Sequence, residues 1–156
     1  MASYYFWIKA IHIISSTLLF GTGLGTAWHL WMSYRSGNIK ALSVASRNTV
    51  IADWIFTATS GVIQPVTGLL LIHIVGYEFN APWLIISYIL YVIALACWLP
   101  VVWLQIQVRN IANSAANSGT PLPEQGHRYM KIWFILGWPA FISLVIIFCL
   151  MVFKPI

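Results

Sequence analysis

Four histidines, His12, His29, His73 and His127, are the side chains of this chain best suited to hold a metal or carry a proton. His12 and His73 fall in two different apolar runs, each a few residues inside the end nearer the same surface. Antiparallel helices would bring both imidazoles to one depth. Two imidazoles from different helices of a bundle can ligate a haem iron from opposite faces. Neutral imidazole also suits copper or zinc. His29 and His127 fall near the opposite surface, close to the level of Asp53.

The second apolar run carries a further set. Asp53, Thr57, Ser60, Gln64 and Thr67 recur every three or four residues, with Gly61 and Gly68 beside them. At ~100° per residue they form one stripe on a helix, and such a stripe belongs inside a bundle. It serves either interhelical hydrogen bonding and close packing or the wall of a cofactor or substrate cavity. His73 lies about 200° around from Asp53, nearly opposite the stripe. Pro65 sits mid-run and should kink the helix. Asp53 is a proton-carrying or polar site, or else reaches the interface or pairs with Arg47, Arg109 or His127.

In the first run, GTGLGT spans Gly21–Thr26. No strand precedes it, so a phosphate loop is excluded. Gly21 and Gly25 instead offer a GxxxG face for close helix approach. Gly23 shares another face with His12, Ser16, Leu19 and Thr26. The expected cofactor contacts are His12, His73, Ser16, Gly23 and Gln64, with His12 and His73 on the iron of a haem b. The acidic residues are only Asp53, Glu78 and Glu124, with no paired carboxylates of a glycosidase among them, and no nucleophile elbow is present. Hydrolysis is disfavoured. A cofactor could supply redox chemistry with few polar groups, so enzymatic and non-catalytic classes both stay open.

These residues need elements to position them, and composition dictates which. The 156 residues are 60% hydrophobic and 7% charged, against roughly 25% charged in soluble domains. Apolar runs at about 5–32, 50–75, 83–108 and 132–153 each exceed the ~20 residues that cross a bilayer as a helix. The expectation is an all-α integral membrane four-helix bundle forming a single transmembrane domain over 1–156, with almost nothing outside the bilayer. The basic segment between the first two runs could extend a neighbouring helix. Cys97 and Cys149 fall inside apolar runs and read as inert small hydrophobes.

Alternating spans put Arg35, Lys40, Arg47, Arg109, Arg128 and Lys131 on one side, and Lys9 and Lys154 on the other. The six-charge side should be cytoplasmic, with both termini periplasmic. Trp7, Tyr77 and Trp83 suit the outer belt, and Trp28, Trp31, Tyr34, Trp54 and Tyr129 the inner one. The net charge of +5 is scattered through short connections, which argues against nucleic acid.

The segments WIKAIHIISSTLLFGTGLGTAW, ADWIFTATSGVIQPVTGLLLIH, CWLPVVWLQIQVR and GWPAFISLVIIFCLMVFKP resemble the bacterial integral membrane family of domain of unknown function 2269. The resemblance covers nearly the whole chain and implies a place in the bacterial inner membrane. WIKAIHIIS also resembles the first helix of HemJ-type protoporphyrinogen oxidases and, more distantly, of copper-resistance D membrane proteins. That likeness implies a b-type haem, with His12 at the matching position. The leading expectation is a small haem b membrane protein for electron transfer or porphyrin-linked redox, with a quinone or a larger membrane complex as partner. An accessory or assembly subunit, a homo-oligomer, and a transporter of copper or another small solute are the alternatives.

Overall fold

The computed structural model describes residues 2–155. In chain order the elements are α1 (Ala2–Arg35), α2 (Ile39–Ala52), a π-helical segment (Asp53–Ala58), α3 (Thr59–Val75), α4 (Pro82–Ser118) and α5 (Glu124–Phe153). The α2, π and α3 segments form one unbroken helix. Four helices are thus long and apolar enough to cross a membrane: Tyr4–Arg35, Ile39–Val75, Pro82–Ser118 and Glu124–Phe153. The protein is an all-α four-helix membrane bundle.

Three helices run further than their apolar segments suggest, all at the end that carries six of the basic residues. Gly37 turns the chain with φ 69°, and the Asn38 side chain accepts from the backbone N–H groups of Lys40 and Ala41 at 3.0 and 3.2 Å. This cap starts α2 eleven residues before Val50. The sequence there is amphipathic: Leu42, Ala45, Ser46, Thr49 and Val50 are buried, while Lys40 and Arg47 are exposed. At 37 residues, α4 is about 55 Å long, well beyond the ~30 Å hydrocarbon core. Helical ends therefore project past the bilayer, so the expectation of almost nothing outside it is corrected. The projecting ends pack on one another, with Ser43 donating to Asn113 between α2 and α4.

The apolar core is divided. At the basic end, Leu30, Leu42, Ala45, Val101, Leu104, Val108, Ala112, Met130 and Trp133 bring α1, α2, α4 and α5 together. At the opposite end, Ile72, Trp83 and Leu84 pack with Tyr77, Leu150 and Met151. Lys154 closes that end by donating to the Tyr77 hydroxyl at 2.7 Å. Between the two clusters, the side chains buried along the second span are largely polar. Aromatic pairs join α1 to α5: Phe20 stacks on Phe141 at 5.1 Å and Trp31 on Phe134 at 4.2 Å.

Pro65 lies inside α3. Having no N–H, it leaves the Gly61 carbonyl, four residues earlier, without its helical donor. The Tyr91 hydroxyl of α4 donates to that carbonyl. A Cβ on Gly61 would meet the tyrosine oxygen at 3.8 Å, an ordinary van der Waals contact, so the approach does not depend on glycine. Tyr91→Phe should cost about 1–2 kcal/mol by orphaning a carbonyl in a dry interior. In a Pro65→Ala background the restored N–H should make the same change nearly neutral. A double-mutant cycle of unfolding in detergent micelles checks this, and equal costs in both backgrounds would reject the pairing.

Candidate functional site: a polar junction of the first and third helices

The sequence stripe turns inward. Thr57, Ser60 and Thr67 are buried, and Gln64 is half-buried. At the α1–α3 contact it meets His12. His12 Nδ1 and Thr67 Oγ1 lie 2.7 Å apart. Thr67 also donates to the Ile63 carbonyl at 2.7 Å, the usual back-bond of a helical threonine. A hydroxyl has one hydrogen, and with that hydrogen on Ile63 the Thr67 oxygen accepts from His12. Nδ1 thus carries the ring hydrogen, and Nε2 keeps the lone pair. The tautomer is assigned by this hydrogen count.

Three further groups surround His12, two of them at its main-chain carbonyl. Gln64 Nε2 donates to the His12 carbonyl at 2.6 Å and to Ser15 Oγ at 2.5 Å. Ser15 in turn donates to the His12 carbonyl at 3.1 Å. Gly68 lies against the ring, and a Cβ there would sit 3.3 Å from His12 Cε1. The ring is therefore fixed by Thr67 at one edge and by a bare stretch of backbone beneath it.

Two expected contacts stand apart from this cluster. Ser16 bonds the Ile13 carbonyl of its own helix at 2.7 Å, and no atom lies within 4 Å of a Cβ built on Gly23. Ser15, buried to 3% exposure, takes the place anticipated for Ser16. The two serines fall on either side of the His12 direction, about 60° and 40° away, so spacing alone could not choose between them.

His73 is exposed and is not brought to His12. It follows Thr67 by six residues, about 9 Å along the helix and 240° around it. Pro65 precedes that stretch, so its kink leaves this phase unchanged. The expected His12–His73 pair is thus not assembled within one chain. His29 is also exposed, and His127 shares a 2.9 Å hydrogen bond with Tyr34. Among the described residues no group of three or more His, Cys, Asp or Glu gathers to hold a metal.

A second polar cluster lies at the π segment. Asp53 is 4% exposed and accepts from Thr57 at 2.9 Å. Gln105 of α4, also 4% exposed, reaches the same carboxyl. Gln105 was missed in the sequence reading, although it is an uncharged polar residue inside the apolar run CWLPVVWLQIQV. None of the anticipated basic partners is engaged there: Arg47 is exposed, Arg109 donates to Asn110 at 3.2 and 3.1 Å, and His127 is on Tyr34.

Two surface cavities, of about 530 and 120 Å³, lie beside the 118–123 connection at the basic end. Neither is lined by His12, His73 or the stripe. Comparison with curated proteins and with solved structures gives no match. A family model does match: residues 6–155 fit the one described as predicted integral membrane protein (DUF2269), so the chain belongs to that family.

Proposed function

We propose that this membrane protein binds a haem b through His12 and serves electron transfer or porphyrin-linked redox. The bilayer would be that of the bacterial inner membrane, with the basic end cytoplasmic and both termini periplasmic. One observation carries the reading: the Nδ1 hydrogen bond to Thr67, which leaves the Nε2 lone pair free. Ligating histidines characteristically donate their other ring N–H to such a partner, which fixes the ring and raises its basicity. The donor set fits one axial ligand and does not fit a bis-histidine pair, because His73 lies on another face. The haem would supply one-electron chemistry. This chain's own part is to hold the imidazole: Thr67 sets the tautomer, Gln64 and Ser15 fix the backbone below it, and Gly68 gives the ring room. A quinone or a larger membrane complex would exchange the electrons.

Reduced-minus-oxidised absorption with metal analysis tests this on protein from a haem-sufficient host. The wild type should show haem bands, His12→Ala should lose them, and His73→Ala should keep them. No Soret band in the wild type, or bands intact in His12→Ala, would sink the reading. Thr67→Val keeps the side-chain volume and removes the acceptor. It should lower haem affinity by about 10–100-fold with the fold intact, measured by titrating haem into the apoprotein.

An accessory subunit is a second reading with its own observation. Among the described residues, a Cβ built on Gly21 or Gly25 would meet nothing within 4 Å beyond its chain neighbours and its own helix backbone, and both glycines are exposed. That edge of α1 has room for a neighbouring helix. Purification from native membranes that yields an isolated single chain would reject it.

A further inference from the structure

Three of the four spans repeat one arrangement on their outward faces. On α1, Arg35 follows Trp28 by seven residues. On the second span Arg47 precedes Trp54 by seven, and on α5 Lys131 precedes Trp138 by seven. Seven residues are two helical turns, about 10.5 Å along the axis and only about 20° around it. Each cation therefore stands over an indole on one helix face. All six side chains are exposed, the indoles to 66%, 58% and 52%. In every pair the indole lies nearer the middle of its span, whichever way the helix runs.

The pairs also share a depth. Trp31 stacks on Phe134 at 4.2 Å, and these two rings lie midway along the α1 and α5 steps. Leu30, within the α1 step, packs in the same cluster as Ala45, two residues before Arg47.

The remaining cations of this end lack the arrangement. Seven residues on from Lys40 comes Arg47, and seven on from Arg128 comes Ile135. On α4, the position seven beyond Trp103 is the neutral Asn110. Arg109 lies about 120° around from Trp103 and donates to Asn110.

Little within the chain neutralises this end. Its acids are Asp53, Glu78 and Glu124. Asp53 is buried, and Glu78 lies at the opposite end, between α3 and α4. Glu124 is left facing six cations. Such a rim complements anions held at one depth around the bundle, which is where a bilayer presents its phosphates.

We propose that Arg35 with Trp28, Arg47 with Trp54, and Lys131 with Trp138 form three sites for anionic phospholipid. The cation takes the headgroup phosphate through charge-assisted hydrogen bonds. The indole lies against the glycerol and upper acyl chains, the depth its flat apolar ring and single N–H suit. A zwitterionic lipid brings its own ammonium and gains less from the cation.

Electron paramagnetic resonance of the protein in phosphatidylcholine vesicles tests this, with spin-labelled phosphatidylglycerol and phosphatidylcholine as probes. A cation near the surface is worth about fivefold in holding an anionic headgroup. The wild type should restrict the charged probe in preference to the zwitterionic one. The triple variant Arg35→Gln, Arg47→Gln, Lys131→Gln should lose most of that preference. The control triple Lys40→Gln, Arg109→Gln, Arg128→Gln removes the same charge and should keep most of it. No preference in the wild type overturns the proposal. Equal losses in the two triples also overturn it, in favour of net charge without sites. Release of the probe by inorganic phosphate, beyond that by chloride at equal ionic strength, would overturn it in favour of a soluble anion. If a triple does not fold, Arg47→Gln against Lys40→Gln on the same helix decides, and equal effects overturn the proposal.

Discussion

Gly68→Leu should free His12 from Thr67 and lower the stability of the bundle by about 2 kcal/mol, whereas Gly68→Ala should change it little. Two effects compete at this position. Replacing a helical glycine favours the helix by up to ~1 kcal/mol. Against that, the new Cβ lies 3.3 Å from His12 Cε1 and 4.0 Å from Nδ1. For alanine the ring need yield only a few tenths of an ångström, and the two effects nearly cancel. Leucine adds three more carbons in the space the imidazole fills. Overpacking of that kind costs about 1–3 kcal/mol, more than the helical gain returns. Unfolding in mixed micelles measures the stability. Haem titration reads the ring separately, because the 2.7 Å bond to Thr67 cannot survive displacement of the imidazole. A leucine variant as stable as the wild type would mean that α3 does not approach α1 at this glycine.

The existence of four spans was legible because lipid imposes a length rule. A helix must cover ~30 Å with apolar side chains, and four runs did so. Their ends at the basic side were not legible by the same rule. Residues 39–49, 109–118 and 124–131 are too rich in polar and charged side chains to read as span, yet are helical. Outside the hydrocarbon a helix is ended by caps and packing, and hydropathy does not register either. The Asn38 cap and the 3–4 spacing of Leu42, Ala45, Ser46 and Thr49 were the available signals.

The stripe was legible because five polar residues in an apolar helix leave only one inward face. The π segment was not, because nothing in DWIFTA marks a change of hydrogen bonding. Gln105 shows the limit of reading one helix at a time. Its meaning comes from Asp53 across the interface, and sequence spacing carries no information about that pairing. On α1 the difficulty was different. Apolar residues surround the helix on every side, so no moment selects Ser15 over Ser16. His73 shows the reverse: its angle argued against pairing with His12, and the structure places it on that other face, exposed.

Leu30→Ala should cost about 3 kcal/mol, and Leu24→Ala under 0.5 kcal/mol, on the same helix and with the same atoms removed. Lipid tails are as apolar as leucine, so burial from lipid brings no hydrophobic gain. Leu24, at 49% exposure, exchanges one apolar neighbour for another when truncated. Leu30, at 0% exposure, would leave a void among Leu42, Ala45, Val108 and Met130. Voids of that size in close-packed interiors account for much of the ~2.7–5 kcal/mol that buried leucines lose on truncation. Among its described side chains, α1 buries only Ser15 and Leu30, fifteen residues and about 22 Å apart. The two buried side chains of the helix that carries His12 are therefore well separated, with the Phe20–Phe141 stack between them. Sites that far apart add to within ~0.5 kcal/mol. Leu30→Ala should thus weaken the bundle and leave haem affinity unchanged, while Gly68→Leu reduces both. The double variant should lose the sum of the two stabilities. Loss of haem affinity in Leu30→Ala would show that the two attachments are coupled, and that His12 is held by the whole helix rather than by Thr67 and Gln64.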